Sequence, residues 1–437
     1  MSKTTNSLKT CILALMAAWP ALSFGQVPSP APAQSKPLLL VGATIHTATG
    51  RVVENGLMGF ENGRLTVIAD AIQTSEKAKY EIVDVTGKHI YPGLIVPNTT
   101  LGLSEIEAVR ATLDFREVGA VNPHVRALIA YNTDSDITPT VRSNGVLMAQ
   151  VTPRGGLVSG QSSIVQLDAW NWEDATYKAD DGIHINWPAS FRRTGWWAEP
   201  GGVEQNKVHD KNVAELSQLF DDAISYKNQK EVVKNLKLAA MQGLFDGSKT
   251  LFVHTDAAKD IMEAVRFAKG KQVKKIVLVG GSQSYQITDF LKDNKVAVVI
   301  NRMHRLPESD DEDVYLPYKL PSLLQKAGVL YCIDMEGNQE ASEARNLPFQ
   351  AGTATAFGLE KEEALAAISL NTAKVLGIDA RVGSLEAGKD ATFLVCDGDL
   401  LDVRTNNVVQ AYIQGRQIDL SNKQKALFKK FSDKYAK

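Results

Sequence analysis

Between residues 250 and 357 short apolar runs alternate with amphipathic segments, and few folds accept that order. Residues 250–254, 275–279, 296–300 and 328–333 each read as a strand. Helical spacing of apolar residues falls between and after them, over residues 261–268, 285–291, 320–327 and 346–357. A strand that is apolar on both faces needs helices on both sides of its sheet, which means a parallel sheet. Upstream, residues 145–151 form another strand-like run, and residues 213–242 have helical periodicity. Repetition over this length favours closure into a (β/α)8 TIM barrel, expected over residues 91–384.

The flanks read differently. Residues 38–45, 56–60 and 64–68 are short β-strands, the last two joined by a turn at Glu61-Asn62-Gly63, and residues 89–95 form a buried strand. Residues 391–395 and 408–413 return to the same pattern. The two flanks, 38–90 and 385–419, are expected to pair in one small composite β-domain that carries the barrel as an insertion. Residues 420–437 have apolar positions at helical spacing and a lysine-rich polar face, so a C-terminal helix is expected. Two placements are open for it: packed on the β-domain, or docked on a membrane or partner.

Residues 1–25 read as an export signal: Lys3 and Lys9 precede an apolar run to Phe24, and Ser23 and Gly25 offer small residues before a cut at Gln26. That run is too short to span a bilayer and contains Pro20, and no later segment is apolar enough to span one. A flexible spacer over residues 26–37 follows, and a bacterial periplasm is the expected destination. Loss of Lys3 and Lys9 takes the net charge from −2 to −4, so nothing favours a nucleic-acid partner. Cys332 and Cys396 lie in apolar strand-like runs and read as buried free thiols.

Two stretches stand out: Tyr91-Pro92-Gly93-Leu94-Ile95, and residues 359–391, which end in Val382-Gly383-Ser384-Leu385-Glu386-Ala387-Gly388-Lys389-Asp390-Ala391. Both resemble the amidohydrolase superfamily, most closely its imidazolonepropionase-like branch. The resemblance implies a (β/α)8 barrel with a small β-sandwich and hydrolysis of amide, lactam, ring C–N or ester bonds by one or two metals that activate water. It also implies metal ligands in a His-x-His pair after the first barrel strand, histidines after strands five and six, and an aspartate after strand eight.

This chain departs from that ligand set. After Ile95 come Val96-Pro97-Asn98-Thr99-Thr100, so Asn98 and Thr100 stand at the paired-histidine positions. Neither an amide oxygen nor a hydroxyl rivals imidazole as a zinc ligand. His254 matches the strand-five position, Gly280-Gly281 falls at strand six, and Glu336 or Asp334 matches the strand-eight aspartate. His304 follows the seventh strand and reads as a loop histidine. The resemblance therefore implies a reduced site, with His254 and Glu336 as ligands of at most one divalent metal such as zinc. Catalytic roles are expected for Glu336, Asp334 and His254, and substrate contacts for Arg154, Gly155, Gly156, Asn98 and Thr100.

Gly-, Asn-, Ser- and Arg-rich segments lie between Asn122 and Ser163, including Pro153-Arg154-Gly155-Gly156. Such loops suit the holding of an anion or polar substrate, and equally suit ordinary structured connections. Trp170 and Trp172, read on a strand, would share one face and either stack on a ring or pack inward. No Gly-x-x-x-x-Gly-Lys-Ser/Thr, Cys-x-x-Cys or Gly-x-Ser-x-Gly occurs, which excludes a P-loop, a cysteine metal pair and a serine elbow. The resemblance implies a hydrolase of non-peptide C–N bonds in small molecules, and the departures at Asn98 and Thr100 keep open an inactive barrel that binds a small molecule or partners an intact paralogue. Homo-oligomerisation is compatible with both.

Overall fold

The computed structural model describes residues 29–70, 77–196, 198–227, 233–307 and 312–436. The expected export signal lies outside the described residues, as do the first residues of the spacer. Eight strands form the barrel: β1 (Leu94–Thr99), β2 (Val146–Val151), β3 (Val158–Gln166), β4 (Thr176–Asn186), β5 (Thr250–Thr255), β6 (Ile276–Gly280), β7 (Ala297–Ile300) and β8 (Tyr331–Ile333). They are hydrogen-bonded in sequence order from β1 to β8. The seam between β8 and β1 is bridged by Ile95, whose N–H donates to the Ile368 carbonyl at 3.0 Å, with the helix Leu370–Leu376 beside it.

Alternate residues of these strands face two different cores. Ile95, Met148, Ile164, Phe252, Val277, Val279, Val299 and Cys332 fill the barrel interior. Val96, Leu147, Val253, Leu278 and Val298 point outward and pack with helix residues such as Ile261, Val265, Leu320 and Leu324. Burial of both faces explains why these strands read as continuous apolar runs.

The barrel is not uniformly parallel, which corrects the (β/α)8 expectation. Pairs β1–β2 and β4 through β8 are parallel. Strand β3 runs antiparallel to both β2 and β4. The cause is connection length: only residues 152–157 separate β2 from β3, whereas a parallel return needs roughly a dozen residues or more. That turn contains Gly155 and Gly156 at φ +86° and +69°. A Cβ on Gly156 would stand 2.7 Å from the Ala120 carbonyl oxygen, so the left-handed turn also packs too closely for a side chain.

Strands of the two flanks share one mixed sheet. The strand His89–Pro92 joins them, parallel to Leu38–His46 on one side and antiparallel to Phe393–Cys396 on the other. Phe60, Phe393 and Tyr412 cluster in its core with ring centroids 4.6 to 5.2 Å apart. Cys332 and Cys396 are buried free thiols, as their apolar surroundings implied.

Three local expectations change. Trp172 begins a short helix, Trp172–Ala175, capped by Asn171 whose side chain accepts from the Asp174 N–H at 2.8 Å, so the two tryptophans do not share a strand face. The helical stretch over residues 213–242 divides into His209–Lys227, Leu236–Ala240 and the start of Gln242–Asp246. The C-terminal helix, Lys423–Tyr435, has no buried residue and so is not packed on the β-domain. Among the described residues no helix is long and apolar enough to cross a membrane.

Replacing Gly156 by Ala forces a left-handed φ on a residue with a Cβ and should cost about 1–2 kcal/mol before the clash is counted. Urea denaturation should therefore show a lower midpoint, and an unchanged midpoint would contradict the assignment of this turn.

Candidate functional site

The parallel strands of the barrel, all but β3, deliver their last residues to one mouth. Asn98 stands there, next to last in β1, and its φ of +48° is a conformation that asparagine tolerates better than most residues. Its amide joins both sides of the seam: Nδ2 lies 2.8 Å from Asp334 Oδ2 and 2.7 Å from Glu336 Oε2. Its Oδ1 and its backbone carbonyl accept from the two terminal nitrogens of Arg154, each at 2.7 Å. Arg154 reaches this point from the tight β2–β3 turn. Its Nη2 also meets both oxygens of Glu340, at 3.0 and 3.1 Å.

Three carboxylates thus surround one guanidinium, and they are unlike one another. Burial, reinforced by the neighbouring Glu336 charge, pushes the Asp334 carboxyl well above the usual range. Burial acts on Glu336 in the same direction, but the Arg154 guanidinium and the His254 ring outweigh it and hold Glu336 well below the ordinary glutamate range. Glu336 is accordingly held as an ionised base, while burial disfavours the charged form of Asp334.

His254, at the end of β5, has both ring nitrogens engaged. Nδ1 is 3.6 Å from Glu336 Oε2, and Nε2 is 2.9 Å from Nδ1 of His184. His184 comes from β4, is fully buried, and stacks on Phe252 with ring centroids 4.5 Å apart. Burial, then the nearby His254 and Arg154, holds it well below the ordinary histidine range, so its ring is neutral. Its Nε2 has no hydrogen-bond partner. Beneath, Gln150 accepts from the Asn98 N–H at 3.1 Å and donates to Asp181 at 2.8 Å, which also receives Ser162 at 2.7 Å.

Above this network lies a cavity of about 380 Å³, lined in part by Thr100, Phe115, Arg154, Glu336, Asn338 and Glu340. Of the residues expected at the site, Asn98, Arg154, His254, Asp334 and Glu336 come together, and Thr100 lines the cavity. Gly155 and Gly156 shape the turn and are not among its lining residues. His304 is elsewhere: its Nε2 meets Thr353 Oγ1 at 2.7 Å, and it lines a separate cavity with Arg302 and Glu343. The other arginines of the Asn122–Ser163 block pair with carboxylates, Arg126 with Asp180 and Arg142 with Asp168, each at 2.8 Å. Sequence reasoning missed His184, Glu340 and the Gln150–Asp181 pair. The signal for His184 is its place between Ile183 and Ile185, which turns it to the opposite strand face.

The donor set does not fit a divalent metal. The one oxygen that Asn98 offers already holds a guanidinium, the strand-six position is Gly280-Gly281, and both His254 nitrogens face protein partners. Among the described residues no group of three or more His, Cys, Asp or Glu is arranged to hold a metal ion. The pair on which zinc was expected, His254 and Glu336, stands 3.6 Å apart beside Arg154, with no third His, Cys, Asp or Glu arranged with them to hold a metal ion among the described residues.

Residues 319–420 match the model of the amidohydrolase family. Imidazolonepropionase of Pseudomonas aeruginosa is 43% identical over 75 residues, which are 17% of this chain and 19% of that protein. N-acetylglucosamine-6-phosphate deacetylase of Danio rerio is 48% identical over 63 residues, 14% of each chain. The chain thus spans about a fifth or less of the curated relatives it matches. Among solved structures, an amidohydrolase from Thermotoga maritima superposes with a TM-score of 0.76 at 24% identity, covering 87% of this chain and 99% of that one. An adenosine deaminase from Xanthomonas campestris with bound zinc superposes with a TM-score of 0.53 at 15% identity, covering 92% and 98%. At those identities the likeness concerns the fold.

Arg154→Ala removes the cation from buried carboxylates, and breaking such a pair costs about 3–5 kcal/mol. Chemical denaturation should show a loss of that order, much of it recovered when Glu340→Gln accompanies Arg154→Met. A loss under about 1 kcal/mol would contradict the network.

Proposed function

We propose that the chain is a member of the amidohydrolase superfamily and that it hydrolyses a carbon–nitrogen bond of a non-peptide small molecule at the mouth of its barrel. The observation that carries this reading is the pairing of an ionised Glu336 with His254, beneath a cavity that Arg154 also lines. Glu336 removes a proton from water as its oxygen attacks the substrate carbonyl carbon. Arg154 faces the negative charge that develops on the carbonyl oxygen, the task of an oxyanion hole. Collapse breaks the C–N bond, and the proton taken from water passes through His254 to the departing nitrogen. No step requires a metal, and the positive charge at the mouth is supplied by the guanidinium.

One observation favours a second reading, an inactive barrel that binds a ligand or partners an intact paralogue. Asn98, Arg154 and Glu340 already satisfy one another, which leaves Arg154 fewer free donors for a reacting group. Turnover separates the two. Screened against lactams, cyclic imides and N-acyl amines, the wild type should release product and Glu336→Gln should lose about 100-fold or more in kcat. Ligand affinity without turnover would establish the second reading instead.

The pH profile carries a sign. A carboxylate held below its ordinary value stays ionised down to that lower pH, so the acid limb of kcat/KM should fall below about 4.3, the ordinary glutamate value. Arg154→Met removes the charge that depresses Glu336, so that limb should move upward. A limb that stays in place, or moves down, would remove Glu336 as the base.

A further inference from the structure

We propose that the C-terminal helix Lys423–Tyr435 docks the protein on an anionic phospholipid surface. At about 100° per residue, Leu427, Phe428, Phe431 and Tyr435 fall within roughly one quarter to one third of the helix circumference, an arc that also holds Gln424 of the first turn. All four are exposed, Phe428 at 76% and Tyr435 at 69%. Lys423, Lys430 and Lys434 flank that arc on one side, Lys425 and Lys429 lie beyond its other side, and Asp433 is the one acidic residue of the helix. A narrow arc of Leu, Phe and Tyr bordered by lysines is the pattern of a helix lying in a bilayer interface, where long lysine stems reach up to the headgroups.

The choice of cation argues against a protein partner. All five cationic residues of the helix are lysines and none is arginine. Protein interfaces are enriched in arginine and depleted in lysine, whereas a lipid headgroup layer rewards any cation near it.

The surroundings point the same way. The first turn of the helix is fixed to the body: Asn422 donates to Ser143 Oγ at 3.0 Å, and Thr140 donates to Gln424 Oε1 at 2.9 Å. Both anchors lie on or beside the short helix Thr138–Arg142. Thr138 and Pro139 of that helix also line a cavity with Trp170, which is 67% exposed, and with Ser29 and Pro30, where the described chain begins. The basic helix, an exposed tryptophan, Ser29 and Pro30 therefore border one element. A tryptophan beside an interfacial helix suits the headgroup level, where one end of the ring is apolar and the other wet.

Co-sedimentation with vesicles tests this, using the chain from Gln26 onward, the form that removal of the leader would leave. Wild-type protein should partition onto phosphatidylcholine vesicles containing phosphatidylglycerol, and at least about tenfold less onto phosphatidylcholine alone or at high salt. Phe428→Ser with Phe431→Ser should weaken binding to the anionic vesicles about tenfold or more, with an unchanged thermal midpoint because neither residue is buried. Equal partition of wild type and variant, or no preference for anionic vesicles, would overturn the proposal. So would a wild-type dimer in light scattering that the same two substitutions convert to monomer without any vesicle binding, which would assign the face to a second copy of the chain.

Discussion

The contact of Arg154 with Asn98 is the constraint on which the barrel mouth depends. Asp334, Glu336 and Glu340 approach one another closely, and carboxylates taken from water need a compensating cation or a proton. The guanidinium provides the cation for Glu336 and Glu340, and burial shifts Asp334 toward its protonated form. Asn98 fixes the geometry, since its amide oxygen holds Arg154 while its nitrogen donates across the seam to both carboxylates of the strand-eight end. A histidine at that position would present two ring nitrogens and no carbonyl oxygen, and it could not receive the guanidinium while donating to two acids.

Two departures from the expected pattern have one origin. The turn that makes β3 antiparallel is the turn that carries Arg154. A helical crossover between β2 and β3 would place the residue after Pro153 at the start of a longer connection. The six-residue hairpin instead bends Arg154 back over the mouth, held by the Phe115 carbonyl at 2.7 Å from its N–H. The antiparallel strand and the guanidinium at the barrel mouth are in this sense a single structural event, and the left-handed Gly155-Gly156 pair is what permits it.

Much of the fold was legible because burial of both strand faces leaves a direct mark on sequence. β5, β6 and β7 fall where the continuous apolar runs of residues 250–300 predict them. β4 was not legible, since Lys178, Asp180 and Asp181 interrupt any apolar run in its first half. Those residues are tied by tertiary bonds, Asp181 to Gln150 and Ser162, and Lys178 to the Leu376 carbonyl at 2.8 Å. The hairpin was in view as the short gap around Pro153 but was read as a loop set rather than as a reversal of strand direction. At the site, Asn98, Arg154, His254, Asp334 and Glu336 were each nameable from position or from the family frame. Their mutual bonding was not, because no local pattern records that an arginine from one turn meets an amide from a strand 56 residues away. Glu340 and His184 escaped for the same reason.

The central claim is that Arg154 is the resident cation of this barrel mouth. Elemental mass spectrometry of the purified protein, before and after incubation with excess zinc and desalting, addresses it directly. The account predicts far less than one equivalent of any transition metal in both samples, with stoichiometric zinc appearing only when Asn98→His and Thr100→His are introduced together with Arg154→Ala. One equivalent of metal in the wild type, lost on His254→Ala, would contradict it.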